Sequence, residues 1–168
     1  MRPVLTLALL VVLGCSAERK PEPVRPSPAP AGDAAVPRSG DPDLAPSAPR
    51  LVLIPFAGYA GLFPADAVDA PPTLDDLARG QALVLAELRA HPPREDAALA
   101  DKAPGYYRQA IGYRSGGHRH LFVNYVCAVE GDWRTQLLVV KDGGSCYFQA
   151  DIDLDAGAVA HLTVNGQG

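Results

Sequence analysis

From Tyr106 to the end of the chain, apolar and polar residues alternate in short runs. These are YYRQAIGYR (106–114), HLFVNYVCAV (120–129), WRTQLLVVK (133–141), SCYFQADIDL (145–154) and AVAHLTVN (158–165). Turn-forming groups fall between them: Ser115-Gly116-Gly117, Glu130-Gly131-Asp132, Asp142-Gly143-Gly144 and Asp155-Ala156-Gly157. Period two with such punctuation predicts an antiparallel meander of four or five strands. In the fourth run Cys146, Phe148, Ala150, Ile152 and Leu154 alternate with Tyr147, Gln149, Asp151 and Asp153. That alternation predicts one apolar face and one wet face.

Upstream the period changes. Leu74, Leu77, Val84, Leu85 and Leu88 recur at helical spacing, after Pro71 and Pro72 and before Pro92 and Pro93. Thr73 stands as N-cap with Asp76 in the capping-box position. The stripe needs an apolar surface to cover, and the apolar face of the sheet supplies it. REDAALADKA adds a short helical turn that Pro104-Gly105 ends. The result is an α+β domain, one main N-terminal helix packed on a four- to five-stranded antiparallel meander, broadly cystatin-like in outline. Ahead of the helix, LVLIPFAGYAGLFP (51–64) is apolar but broken by Pro55, Gly58 and Gly61. It reads as a short strand or extended arm packed on the core, with an exposed docking arm as the competing reading.

The beginning of the chain has a different character. Arg2 precedes an apolar run from Val4 to Leu13, and small Gly14 precedes Cys15. The run is shorter than the roughly 20 residues a membrane-spanning helix needs, so it reads as an export signal over residues 1–14. Val12-Leu13-Gly14-Cys15 resembles the bacterial lipoprotein signal, in which the cysteine is lipidated and becomes the new N-terminus. The resemblance makes Cys15 the anchor. Ser16, where an Asp would retain the protein in the inner membrane, implies attachment to the outer membrane facing the periplasm.

After Cys15, residues 16–50 carry proline every two to four positions and almost no bulky apolar residue. Such a stretch buries too little surface to offset its ordering entropy and reads as a solvated tether over 15–50. Fully extended at about 3.1 Å per residue it reaches roughly 100 Å. Residues 51–168 then have the length of a single domain. The formal net charge of -4, with no basic stripe, argues against a nucleic-acid partner.

The C-terminal stretch carries a further resemblance. Asn124, Cys127, Trp133, Asp142, Gly143, Gly144, Cys146, Phe148, Val164, Asn165 and Gly166 form the pattern V-N, C, W, D-G-G-x-C-[FY]-F, V-N-G. It is similar to a group of uncharacterised secreted bacterial proteins over Tyr106 to the end. The likeness implies a shared small domain and brings no activity.

Candidate chemistry is sparse. A nucleophile elbow needs a strand, a sharp turn and then a helix, whereas the residues after Cys146 continue as a strand. A thiol enzyme would also need a base beside Cys127 or Cys146, and no spacing puts His118, His120 or His161 there. An exported protein with two cysteines left after lipidation pairs them, which makes Cys127–Cys146 a possible disulfide. In a simple meander, however, the two lie at opposite ends of strands two places apart, beyond the roughly 7 Å between Cα atoms that a bridge tolerates. Two readings stay open: the strand order departs from a meander, or both thiols are buried small residues.

His118 and His120 share one side of a strand, but two ligands do not make a metal site. Asp151, Asp153 and Asp155 resemble the start of a calcium loop. The glycine falls at the seventh place, and Leu162 stands where a bidentate Glu belongs, so the match fails beyond a weak surface cation site. Trp133 reads as a packing residue at the sheet edge. No catalytic residue, metal or cofactor is therefore assigned. The expected function is a membrane-tethered envelope lipoprotein with a small non-catalytic domain, bound to the membrane through Cys15 and to an envelope protein partner. The alternative is a thiol- and histidine-dependent periplasmic enzyme. A cystatin-type protease inhibitor finds no inhibitory loop motif in support.

Overall fold

The computed structural model describes residues 50–129 and 131–166. The expected export signal at 1–14, Cys15 and almost all of the proline-rich stretch lie outside the described residues. The architecture is mixed α+β. An open sheet has six strands: β1 (Leu51–Leu53), β2 (Val68–Asp69), β3 (Tyr107–Ser115), β4 (His118–Val126), β5 (Tyr147–Asp153) and β6 (Ala158–Val164). The helices are α1 (Leu74–Ala90) and α2 (Leu99–Lys102).

The capping box starts α1. The Thr73 hydroxyl accepts from the Asp76 backbone N–H, and the Asp76 carboxylate accepts from the Thr73 N–H at 3.0 Å, so two otherwise orphaned donors are satisfied reciprocally. Leu77, Val84, Leu85 and Leu88 are buried as the spacing predicts, but Leu74, in the first turn, is largely exposed. The buried side of α1 meets Leu121, Val123 and Tyr125 of β4 and Phe148, Ala150 and Ile152 of β5 in one core. Within it, the rings of Tyr125 and Phe148 stack 4.3 Å apart.

Strands β3, β4, β5 and β6 pair antiparallel in chain order. On the outer edge of β3, β1, the short strand read at the start of 51–64, pairs parallel, and β2 pairs antiparallel. Gly112 of β3 permits the close approach of the chain that leads into α1. A Cβ there would lie 2.2 Å from the Ala70 carbonyl oxygen and 2.8 Å from the Pro72 ring. Backbone is what it meets, so a rotamer change cannot relieve the clash. Gly112→Ala should therefore cost about 1–3 kcal/mol, read as a lowered midpoint in urea.

Two sequence expectations need correction. The run Trp133–Lys141 is not a strand; it forms turns and irregular chain between β4 and β5. Its backbone groups bond to side chains of the sheet instead of to a neighbouring strand, as the next subsection describes. Nor is the second face of the sheet uniformly wet. Over β3 and β4 it is covered by the 54–63 arm and by this irregular segment, which bury Ile54, Phe56, Ile111, Tyr113 and Leu137 in a second cluster.

Candidate functional site

Removing the expected strand at 133–141 makes β4 and β5 direct neighbours. Val126 then pairs with Tyr147, which sets Cys127 opposite Cys146 one step beyond the ladder. The two form a disulfide with Cα atoms 4.9 Å apart, within the range a bridge accepts, and the Cys127 N–H donates to the Cys146 carbonyl at 2.9 Å. The geometric objection to this pair came from the supposed intervening strand. The turn before Cys146 explains its two glycines. Gly143 and Gly144 have φ of +116° and +59°, a region that L-residues with a Cβ rarely enter. A Cβ on Gly143 would also lie 2.7 Å from the Tyr147 ring.

The segment closed by the bridge is held from below by two buried amides. Gln109 and Asn124 are register partners on β3 and β4 and are almost wholly excluded from solvent. The Gln109 Nε2 donates to the Trp133 carbonyl at 2.5 Å and to the Gln136 carbonyl at 2.6 Å. Its Oε1 accepts from the Leu138 N–H at 2.8 Å and from Asn124 Nδ2 at 2.9 Å. Asn124 Nδ2 also donates to the Leu138 carbonyl at 2.9 Å.

At the far end of the segment, the Asn165 side-chain amide donates to the Val140 carbonyl at 2.5 Å. The Gly144 N–H donates to the Gly166 carbonyl at 3.0 Å. Trp133 is buried with its ring edge-to-face on Tyr107 at 5.1 Å, and the Arg134 guanidinium lies 4.9 Å from the Trp133 ring centroid. The Tyr59 hydroxyl, on the 54–63 arm, accepts from the Leu137 N–H at 2.8 Å. The residues that form the V-N, C, W, D-G-G-x-C and V-N-G pattern thus converge on one strapped segment. Of these, the Asn124 and Asn165 side chains, with Gln109, satisfy backbone groups that no strand satisfies.

The histidines gather elsewhere. On the second face, at the end of the sheet remote from the bridge, Tyr113 donates to Asp151 Oδ2 at 2.6 Å, and its ring stacks on His120 at 4.9 Å. His120 Nδ1 lies 3.7 Å from Asp151 Oδ1, and His118 Nδ1 lies 2.8 Å from Asp153 Oδ2. His161, the register partner of Asp151, has its Nε2 2.8 Å from the Thr163 hydroxyl. From His120 to Cys127 is seven steps of strand, about 24 Å at roughly 3.4 Å per residue. His118 and His120 thus stand at the opposite end of β4 from Cys127. Asp155 accepts from the Arg119 N–H at 2.9 Å, so Asp151, Asp153 and Asp155 each serve a hydrogen bond. Among the described residues, no group of three or more histidines, cysteines or carboxylates is placed to hold a metal ion.

Burial, and then its bond to Asp151, push the Tyr113 phenol far above its ordinary range. It is a fixed donor at physiological pH and not an acid. The carboxyls of this region move the other way. Asp153 is lowered, chiefly by the Ala156 N–H and next by His118; Asp155 by the N–H and then the guanidinium of Arg119; Asp66 by the Ser115 hydroxyl and then the Gly116 N–H. A carboxyl depressed in the folded state contributes stability that is present above its unfolded value near 4 and lost as pH falls through the folded value. The thermal midpoint should hold steady above about pH 4 and decline below it. Asp155→Asn should flatten that decline, which a pH series of melting curves checks.

A small apolar hollow of about 170 Å³ lies where β1 and β2 part along the edge of β3, lined by Leu53, Pro55, Phe56, Pro72 and Gly112 among others. No described helix is long and apolar enough to cross a membrane. Comparison with protein families, with curated proteins and with solved structures finds no match for this chain.

Proposed function

We propose that this protein is an envelope lipoprotein, anchored through Cys15 to the outer membrane on its periplasmic side. Its domain would stand on the 15–50 tether and act by binding an envelope protein and not by catalysis. The observation that carries the reading is the Cys127–Cys146 disulfide. Bridges of this kind persist in oxidising compartments such as the periplasm, which agrees with the export signal and lipoprotein-type cysteine in the sequence. A sulfur held in a disulfide is not a nucleophile, which counts against the thiol-dependent enzyme. The outline of one main helix over an antiparallel sheet, broadly cystatin-like, belongs to this proposal as analogy of fold alone.

The test is metabolic labelling with a fatty acid followed by membrane fractionation. Wild type should take up label and sediment with the outer membrane, and Cys15→Ser should take up none and should no longer sediment with the outer membrane. Label retained by Cys15→Ser, or a wild type that is soluble and unlabelled, would overturn the anchor. Cross-linking in intact cells then tests the binding role: a stoichiometric envelope partner supports it, and an activity abolished by thiol labelling contradicts it.

A further inference from the structure

We infer that Asn165 is a self-modification site: attack by the backbone nitrogen of Gly166 converts its side-chain amide to a carboxylate and unpins the chain that leads to Cys146. In the pair Asn165-Gly166, glycine places no side chain in the path of that nitrogen. The Gly166 nitrogen bonds to the side-chain carbonyl carbon of Asn165, and Nδ2 departs with the displaced proton as ammonia. Water then opens the cyclic imide at either carbonyl. The product is aspartate, or isoaspartate where the main chain is rerouted through the side chain. Water is the only co-reactant, and nothing is oxidised or reduced.

The fold leaves this pair open to the reaction. Asn165 lies one residue past β6 and is half-buried, and Gly166 is exposed. A Cβ at Gly166 would meet nothing within 4 Å, so no side chain or backbone packs against it there. The pair is held by hydrogen bonds: the Asn165 N–H to the Tyr147 carbonyl, the Asn165 amide to the Val140 carbonyl, and the Gly144 N–H to the Gly166 carbonyl. Bonds at an exposed edge open locally at a fraction of the cost of global unfolding. Asn124, the other asparagine of the chain, is the contrast. It is buried within β4, bonded to Gln109 and to the Leu138 carbonyl, and followed by the bulky Tyr125.

The amide that reacts is also a structural pin. Asn165 Nδ2 donates to the Val140 carbonyl, whereas an ionised carboxylate only accepts. After conversion two acceptors face each other, and the Val140 carbonyl loses this donor. The new negative charge also arises where Asp142 bridges Gly166. Both effects loosen the 140–144 chain and the turn that carries Cys146. Because ammonia is lost, the change runs one way, and the loosened fraction rises with the age of the chain. This inference concerns the folded domain and does not depend on the anchor at Cys15.

The full chain is aged in mild detergent at neutral pH, and peptide mass mapping follows the amide-to-acid mass gain at each asparagine. Wild type should show the gain at Asn165 and not at Asn124. Gly166→Ala should slow it severalfold with an unchanged melting curve, since its Cβ meets no clash and the φ of Gly166 lies outside the left-handed region. The converted chain, and Asn165→Asp made directly, should both have a lowered urea midpoint and a faster reduction of the Cys127–Cys146 bridge by a dithiol. An Asn165 that stays an amide in the folded chain, or that reacts equally fast in Gly166→Ala, would overturn the site. A converted chain that matches unaged wild type in urea midpoint and in bridge reduction would overturn the unpinning.

Discussion

Gln109→Leu should release the 131–140 segment and lower stability by about 3–5 kcal/mol, the sum of several buried groups each costing about 1–3 kcal/mol when left unsatisfied. The Gln109 side chain bonds the Trp133 and Gln136 carbonyls, the Leu138 N–H and the Asn124 amide. Leucine fills a similar volume but offers no partner, so the two carbonyls and the Leu138 N–H lose their bond in a place water reaches poorly, and the Asn124 amide keeps only its bond to the Leu138 carbonyl. The chain contains a single tryptophan, and it sits in this segment. Its fluorescence should shift to the red in the variant even under conditions where the domain remains folded. Unchanged emission together with an unchanged urea midpoint would contradict the role assigned to Gln109.

Replacing both cysteines, as C127A/C146A, should cost about 3 kcal/mol, because the bridge closes a loop of sequence separation 19 and restricts the unfolded chain accordingly. Reduction of the wild type should produce a loss of the same size. Because Cys127 is exposed and Cys146 half-buried, a small reductant reaches the bridge without global unfolding. The double variant should then be indifferent to reductant, and equilibrium unfolding with and without it separates the two cases. The loss should also be smaller than additive with Gln109→Leu, since both act on the same segment.

Much of this fold is legible in the sequence where local chemistry and burial agree. Thr73 and Asp76 announce α1 because their reciprocal bonds are local, and the prolines at 92 and 93 end it. The alternation of Cys146 to Leu154 is equally legible, since one face of β5 meets the α1 core. The error lay at Trp133–Lys141. Leu137, Leu138, Val139 and Val140 have strand-like composition, but composition does not say which groups take up the backbone hydrogen bonds. Here Gln109 of β3, Asn124 of β4 and Asn165, one residue past β6, take them.

A strand between β4 and β5 would set Cys127 and Cys146 apart and leaves their pairing open; without it they are adjacent and bridged. The polar residues Gln109 and Asn124 within apolar strands are the signal that identifies the segment, because buried amides imply partners. The histidine and aspartate groups were visible as residues, but their assembly with Tyr113 depends on the register of three strands, which turn lengths alone do not determine.

The central claim is a tethered, disulfide-closed domain of the envelope, and the intact mass of the chain purified from membranes tests it most directly. The measurement is made with alkylation before and after reduction. The account predicts a chain that begins at Cys15, carries acyl mass on that residue, takes up no alkyl group when native and takes up two after reduction. An unprocessed chain without acyl mass, or one that takes up two alkyl groups before any reductant is added, would contradict it.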